Sequence, residues 1–131
     1  MDANYGRLNE YYNATLQWLV AYQSGFRLDT YLNSMGIKTI AVYGMNDIGN
    51  CIVRELISND KVSFLYAIDQ GAPKLYFDID CCTLEELADK PVPDMVIVAV
   101  PHIFTEVRKD IIGRINTKVI SITQLVYDMC I

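Results

Sequence analysis

Three groups of residues in this sequence have the types and spacing to do chemistry. The first is Tyr43-Gly44-Met45-Asn46-Asp47-Ile48-Gly49. Gly44 closes a β-branched run and would make the tight turn from strand to helix, while Gly49 would let that helix pack closely on the sheet. The middle position, where a third glycine would let backbone approach a pyrophosphate, is Asn46. Asn tolerates left-handed backbone but keeps a side chain, which could hydrogen-bond a phosphate or obstruct it. The second is Asp69, 25 residues beyond Gly44. At the end of a second strand its carboxylate would accept both hydroxyl hydrogens of a ribose and disfavour a 2′-phosphate, so NAD suits it better than NADP. The third is Pro101-His102, just past an apolar strand, where an imidazole would face the same crevice and contact a phosphate or sugar hydroxyl.

The elements that must position these residues follow from periodicity. Thr39–Tyr43 reads as a strand and Asp47–Ser58 as a helix, with Ile48, Ile52 and Leu56 on one face. Val62–Ile68 is a second strand, Leu75–Phe77 a short third, and Thr83 with Glu86 has capping-box spacing for a short helix to about Asp89. Met95–Val100 is continuously apolar, as a parallel strand covered on both faces should be. Val107, Ile111 and Ile115 give an amphipathic helix anchored by inward-pointing Ile103 and Phe104, and Lys118–Ile122 is a last strand followed by at most a turn.

Strands alternating with helices of this length predict an α/β chain: a Rossmann-like three-layer sandwich of about five mostly parallel strands, in the order 3-2-1-4-5. An N-terminal helical hairpin precedes it. Leu8, Tyr12, Leu16, Leu19 and Val20 recur at helical spacing to about Gln23, with Tyr11, Trp18 and Tyr22 on a neighbouring face, and Leu28, Tyr31, Leu32 and Met35 mark a second helix before Gly36. The expected division is a hairpin over 1–36 and a nucleotide-binding domain over 37–131. Five of the nine tyrosines and the only tryptophan lie in the hairpin. Its broad apolar stripe should cover the core of its own domain, with a homodimer or neighbouring-domain interface as the alternative.

Composition narrows the function further. The net charge of −5 resides between Asp69 and Asp94, where seven acids face Lys74 and Lys90, and the rest of the chain balances. Such a chain is a poor nucleic-acid binder. No apolar run approaches a membrane span, and a signal-peptide core is missing from the N-terminus. Cys51, Cys81, Cys82 and Cys130 include no CxxC, and with a lone His102 they offer no metal-binding spacing. Free thiols and a cytoplasmic location are the expectation. No tyrosine has a lysine four residues on, and neither a GxSxG elbow nor a P-loop is present, so no catalytic residue is assigned.

Lys38–Gly49, Asp69, Val96–Pro101 and Ile120–Leu125 together resemble the Rossmann-like module of bacterial sugar and surface-polysaccharide biosynthesis proteins, which is similar to the nucleotide-binding half of nucleotide-sugar epimerases and dehydratases. The aromatic hairpin with Trp18, Tyr22 and Leu32 fits that group, and Asn46 departs from its usual glycine. The resemblance implies a nucleotide or nucleotide-sugar ligand held by Gly44, Met45, Asn46, Asp47, Ile48, Gly49, Asp69, Pro101 and His102. It also implies a glycosyltransferase or methyltransferase domain in the parent protein or pathway. An accessory binding module, an NAD-dependent epimerase or dehydratase fragment whose catalytic part lies elsewhere, and a structural assembly domain are the three functions it leaves open. The abrupt apolar ending at Cys130-Ile131 is compatible with a piece of a longer protein.

Overall fold

The structure is a computed structural model that describes residues 3–71 and 78–131. Two helices, α1 (Ala3–Gln23) and α2 (Leu28–Ser34), lead into β1 (Thr39–Tyr43), α3 (Asp47–Ile57) and β2 (Ser63–Ile68). After β3 (Cys81–Cys82) and a 3-10 turn at Leu87–Asp89 come β4 (Met95–Val98), α4 (Phe104–Ile112), β5 (Lys118–Ser121) and α5 (Ile122–Met129). The strands form one sheet in the order β3-β2-β1-β4-β5, and every pairing is parallel. This is the Rossmann-like sandwich that the alternation of elements predicts.

Alternation along the strands divides the interior into two cores. Ile40, Val42, Ile97 and Ala99 face the side covered by the N-terminal hairpin, α3 and α5. Ala41, Tyr66, Ile68, Val96 and Val98 face the side covered by Leu84, Leu87 and α4. Burial on both faces explains why β4 is apolar at every position. Leu28 and Leu32 of α2 are fully buried in the first core, so the hairpin packs as part of that layer.

The α2 N-terminus is finished from outside its own segment. Arg27, at its N-cap, makes no side-chain cap, and the Leu28 N–H donates instead to Glu55 Oε1 on α3 at 3.1 Å. The neighbouring Trp18 indole also favours the charged form of this carboxylate. Burial nevertheless holds the Glu55 pKa above the usual carboxylate value.

Three details differ from the sequence reading, and a fourth expectation lies outside the described residues. Only the edge of the broad α1 stripe turns inward: Tyr11 and Trp18 pack beside buried Ala14 and Ala21, while Leu8, Tyr12, Leu16, Leu19, Val20 and Tyr22 are exposed. Small alanines let the helix approach closely, which bulkier residues would prevent. The strand expected at Leu75–Phe77 lies outside the described residues, and the strand beside β2 is Cys81–Cys82. Thr83 and Glu86 do make the capping interaction, with Glu86 Oε1 accepting from Thr83 N at 3.0 Å, but only the 3-10 turn follows. Finally, β5 leads directly into the eight-residue α5 rather than a single turn. Ser121 Oγ accepts from Gln124 N at 3.1 Å, and Ile122, Leu125, Val126 and Met129 are all buried at helical spacing.

Candidate functional site at the carboxyl edge of the sheet

The carboxyl ends of β1, β2 and β4 bring the sequence-selected residues together, where a doubly wound sheet changes direction between its first and fourth strands. Gly44 follows β1 with φ +94°, a conformation that L side chains rarely adopt, and a Cβ there would lie 3.1 Å from Val100 Cγ1. Its N–H donates to Ile68 O at 2.9 Å, fastening the turn to the end of β2. Gly49 answers to a tighter constraint, since a Cβ would stand 2.0 Å from Gly44 O. The close approach that requires a glycine is therefore to the turn itself rather than to the sheet.

Between these glycines the backbone is satisfied by side chains. Met45 N–H donates to Asp69 Oδ2 at 2.8 Å, and Gly71 N–H donates to Asp69 Oδ1 at 2.8 Å. Asp69 thus buckles the glycine turn to the loop after β2. Asn46 is the N-cap of α3, in extended backbone at φ −90° rather than left-handed, and its Oδ1 accepts from Gly49 N–H at 2.8 Å. Its Nδ2 donates to Ala99 O at 2.9 Å and to Tyr11 Oη at 3.0 Å. One amide joins the start of α3, the end of β4 and helix α1.

The remaining predicted residues divide by burial. Met45 and Ile48 bury their side chains in the first core, so they offer the edge only backbone. Asp47 is exposed at the first turn of α3. Pro101 and His102 open a 3-10 turn that leads into α4. The His102 ring lies 5.6 Å from the Tyr11 ring, tilted by 55°, and its Nδ1 is buried with no hydrogen-bond partner among the described residues. Thr123 Oγ1, in the first turn of α5, is in the same condition. Phe104 packs on the second core as expected, whereas Ile103 is exposed.

Sequence reasoning did not find Tyr11, which stands between Asn46 and His102. It also did not find the groove of about 730 Å³ between α1, α2 and α3, which begins at the predicted Asp47 and Ile48 and runs along α3 past Trp18, Tyr22, Arg54 and Glu55. Arg27 stacks over the Tyr22 ring at 3.7 Å beside it. Nearer the edge, burial and the neighbouring Asp69 and Asp110 raise the Tyr43 pKa. Among the described residues no group of three or more His, Cys, Asp or Glu could hold a metal, and no helix is long and apolar enough to cross a membrane.

The fit to a dinucleotide is partial. Both outer glycines and the acid are in place, but a pyrophosphate seated on the Met45 and Gly49 N–H groups would have to displace Asp69 and Asn46 oxygens. Each Asp69 oxygen retains a lone pair for a hydroxyl hydrogen. No protein-family model, no curated protein and no solved structure matches the chain.

Proposed function

We propose that the chain is an accessory nucleotide- or nucleotide-sugar-binding module of sugar or surface-polysaccharide biosynthesis, with its ligand at the carboxyl edge of the sheet. The observation that carries this reading is the buried Nδ1 of His102, which has no partner among the described residues. Buried polar atoms are nearly always paired, and a phosphate or sugar oxygen at this point would supply the missing partner. Asp69 supports the ribose, through the lone pairs that Met45 and Gly71 leave open. Because Asn46 fills the place of the middle glycine, the phosphate is held by His102 rather than by a backbone cradle. Binding, not turnover, is the activity assigned, and the catalytic step belongs to a glycosyltransferase or methyltransferase domain in the same pathway or parent protein.

Calorimetric titration of the chain with NAD, NADP, UDP-sugars and CDP-sugars tests the reading. Saturable binding of a UDP- or CDP-sugar is expected, weakened at least tenfold in Asp69→Ala and in His102→Ala. Circular dichroism would verify that both variants remain folded. No saturable binding across the panel would overturn the proposal.

A further inference from the structure

Helix α1 is apolar on two sides, and the fold uses only one. Tyr11, Ala14, Trp18 and Ala21 pack inward, while Leu8, Tyr12, Leu16, Leu19 and Val20 form a second stripe, with exposures from 43% for Leu16 to 68% for Leu8. A helix apolar all round is ordinarily buried all round. The stripe continues into a groove between α1 and α5, where Leu16 and Val20 meet Phe26, Val126 and Tyr127. With Phe26 and Tyr127, which are also exposed, the surface amounts to roughly 700 Å², taking a large apolar side chain at about 150–200 Å². That exceeds the largest apolar patch of a typical monomer, roughly 300–600 Å². It is close to the ~800 Å² that one partner contributes to a stable interface.

Charge identifies the occupant. No charged residue occurs from Tyr11 through Phe26, and among the described residues none lines the α1–α5 groove. The face therefore has nothing to attract a charged partner and nothing to repel a copy of itself. We propose that it is a homodimer interface in which the α1 helices of two copies pack antiparallel about a twofold axis. The interface is isologous, so each contact occurs twice. An axis near Ala14 sets Tyr12 of one copy against Leu16 of the other, and Leu8 against Val20. Tyr11 and Trp18 remain directed inward, so the dimer leaves the carboxyl-edge site intact and does not depend on the ligand assigned to it.

Sedimentation velocity of the whole chain across a concentration series tests the proposal. The expected species has twice the chain mass at micromolar concentration. Leu16→Glu and, separately, Leu8→Lys should weaken the dimer at least 100-fold with unchanged circular dichroism, whereas Ile112→Glu, an exposed position on α4, should not. Mixing Leu16→Glu with Tyr12→Lys should restore a heterodimer, because the introduced carboxylate and ammonium then face each other across the axis. A chain that stays monomeric at ~100 μM would overturn the proposal. So would folded Leu16→Glu and Leu8→Lys variants that dimerise as the parent does.

Discussion

The side chain of Asn46 donates to Tyr11 Oη at 3.0 Å, so the residue standing where a phosphate-binding turn would have glycine is bonded to the N-terminal helix. The same amide caps α3 through Oδ1 and holds Ala99 O through Nδ2. These roles can be separated. Asn46→Asp keeps an oxygen for Gly49 N–H but loses the donor to Ala99, whereas Asn46→Ala loses both. We expect Asn46→Ala to destabilise by about 2–3 kcal/mol, combining a lost cap with an unpaired buried carbonyl, and Asn46→Asp by a smaller amount. Urea denaturation of the two variants measures the difference; because Asn46→Asp also sets a carboxylate oxygen against Ala99 O, equal losses would show that this repulsion offsets the retained cap.

Glycine substitutions should rank by what their Cβ meets. Gly49→Ala puts a carbon 2.0 Å from backbone Gly44 O, and no side-chain rotation can relieve it. It should leave little or no cooperatively folded protein. Gly44→Ala combines φ +94° with a 3.1 Å contact to a movable Val100 methyl group and should cost about 1–3 kcal/mol. Gly6, within α1, has nothing within 4 Å of a Cβ, so Gly6→Ala should stabilise by about 0.5–1 kcal/mol. Thermal melts of the three variants test the order.

The alternation of strands and helices made the sheet order and the meeting of Gly44, Asp69 and His102 legible, because parallel βαβ units carry successive strand ends to one edge. The helix after β5 was equally open to reading: Ser121 and Gln124 have capping-box spacing, and Ile122, Leu125, Val126 and Met129 are amphipathic. The orientation of α1 was not legible, since a helix apolar on two sides does not say which side is inward. That choice is made by the small volumes of Ala14 and Ala21 against the core. Tyr11 was hidden for a related reason. Its partner Asn46 is 35 residues away, and only the tertiary fold brings them together.

Burial raises the Cys82 thiol pKa to about 11 from its ordinary 9.0, and the neighbouring Cys81 thiol is also raised, first by burial and then by Asp69. A raised pKa means that the folded state favours the protonated form. The Cys82 contribution to stability is therefore full below about pH 9 and is lost as pH rises towards about 11. Cys82→Ala should flatten the fall in stability over that interval while lowering stability at neutral pH through the lost volume. In the parent at pH 8, an alkylating agent should modify exposed Cys51 well before Cys82. Mass spectrometry of partially alkylated protein gives the order, and early modification of Cys82 would contradict it.

The hairpin should prove inseparable from the sheet. Leu28 and Leu32 are fully buried in the core that contains Ile40, Val42 and Ile97, joined there by Ala14 and Ala21. Truncating a buried leucine to alanine costs about 2–5 kcal/mol, and deleting residues 1–36 removes both buried leucines, Leu28 and Leu32, entirely, uncovers the sheet face and leaves Asn46 without Tyr11. That loss approaches the whole stability of a small domain, about 5–15 kcal/mol. The 37–131 fragment should therefore lack a cooperative thermal transition and bind a dye for exposed apolar surface. Leu32→Ala in the full chain should fold with a loss of about 2–5 kcal/mol. A sharp transition in the fragment would instead show that the sheet and its remaining helices hold themselves together.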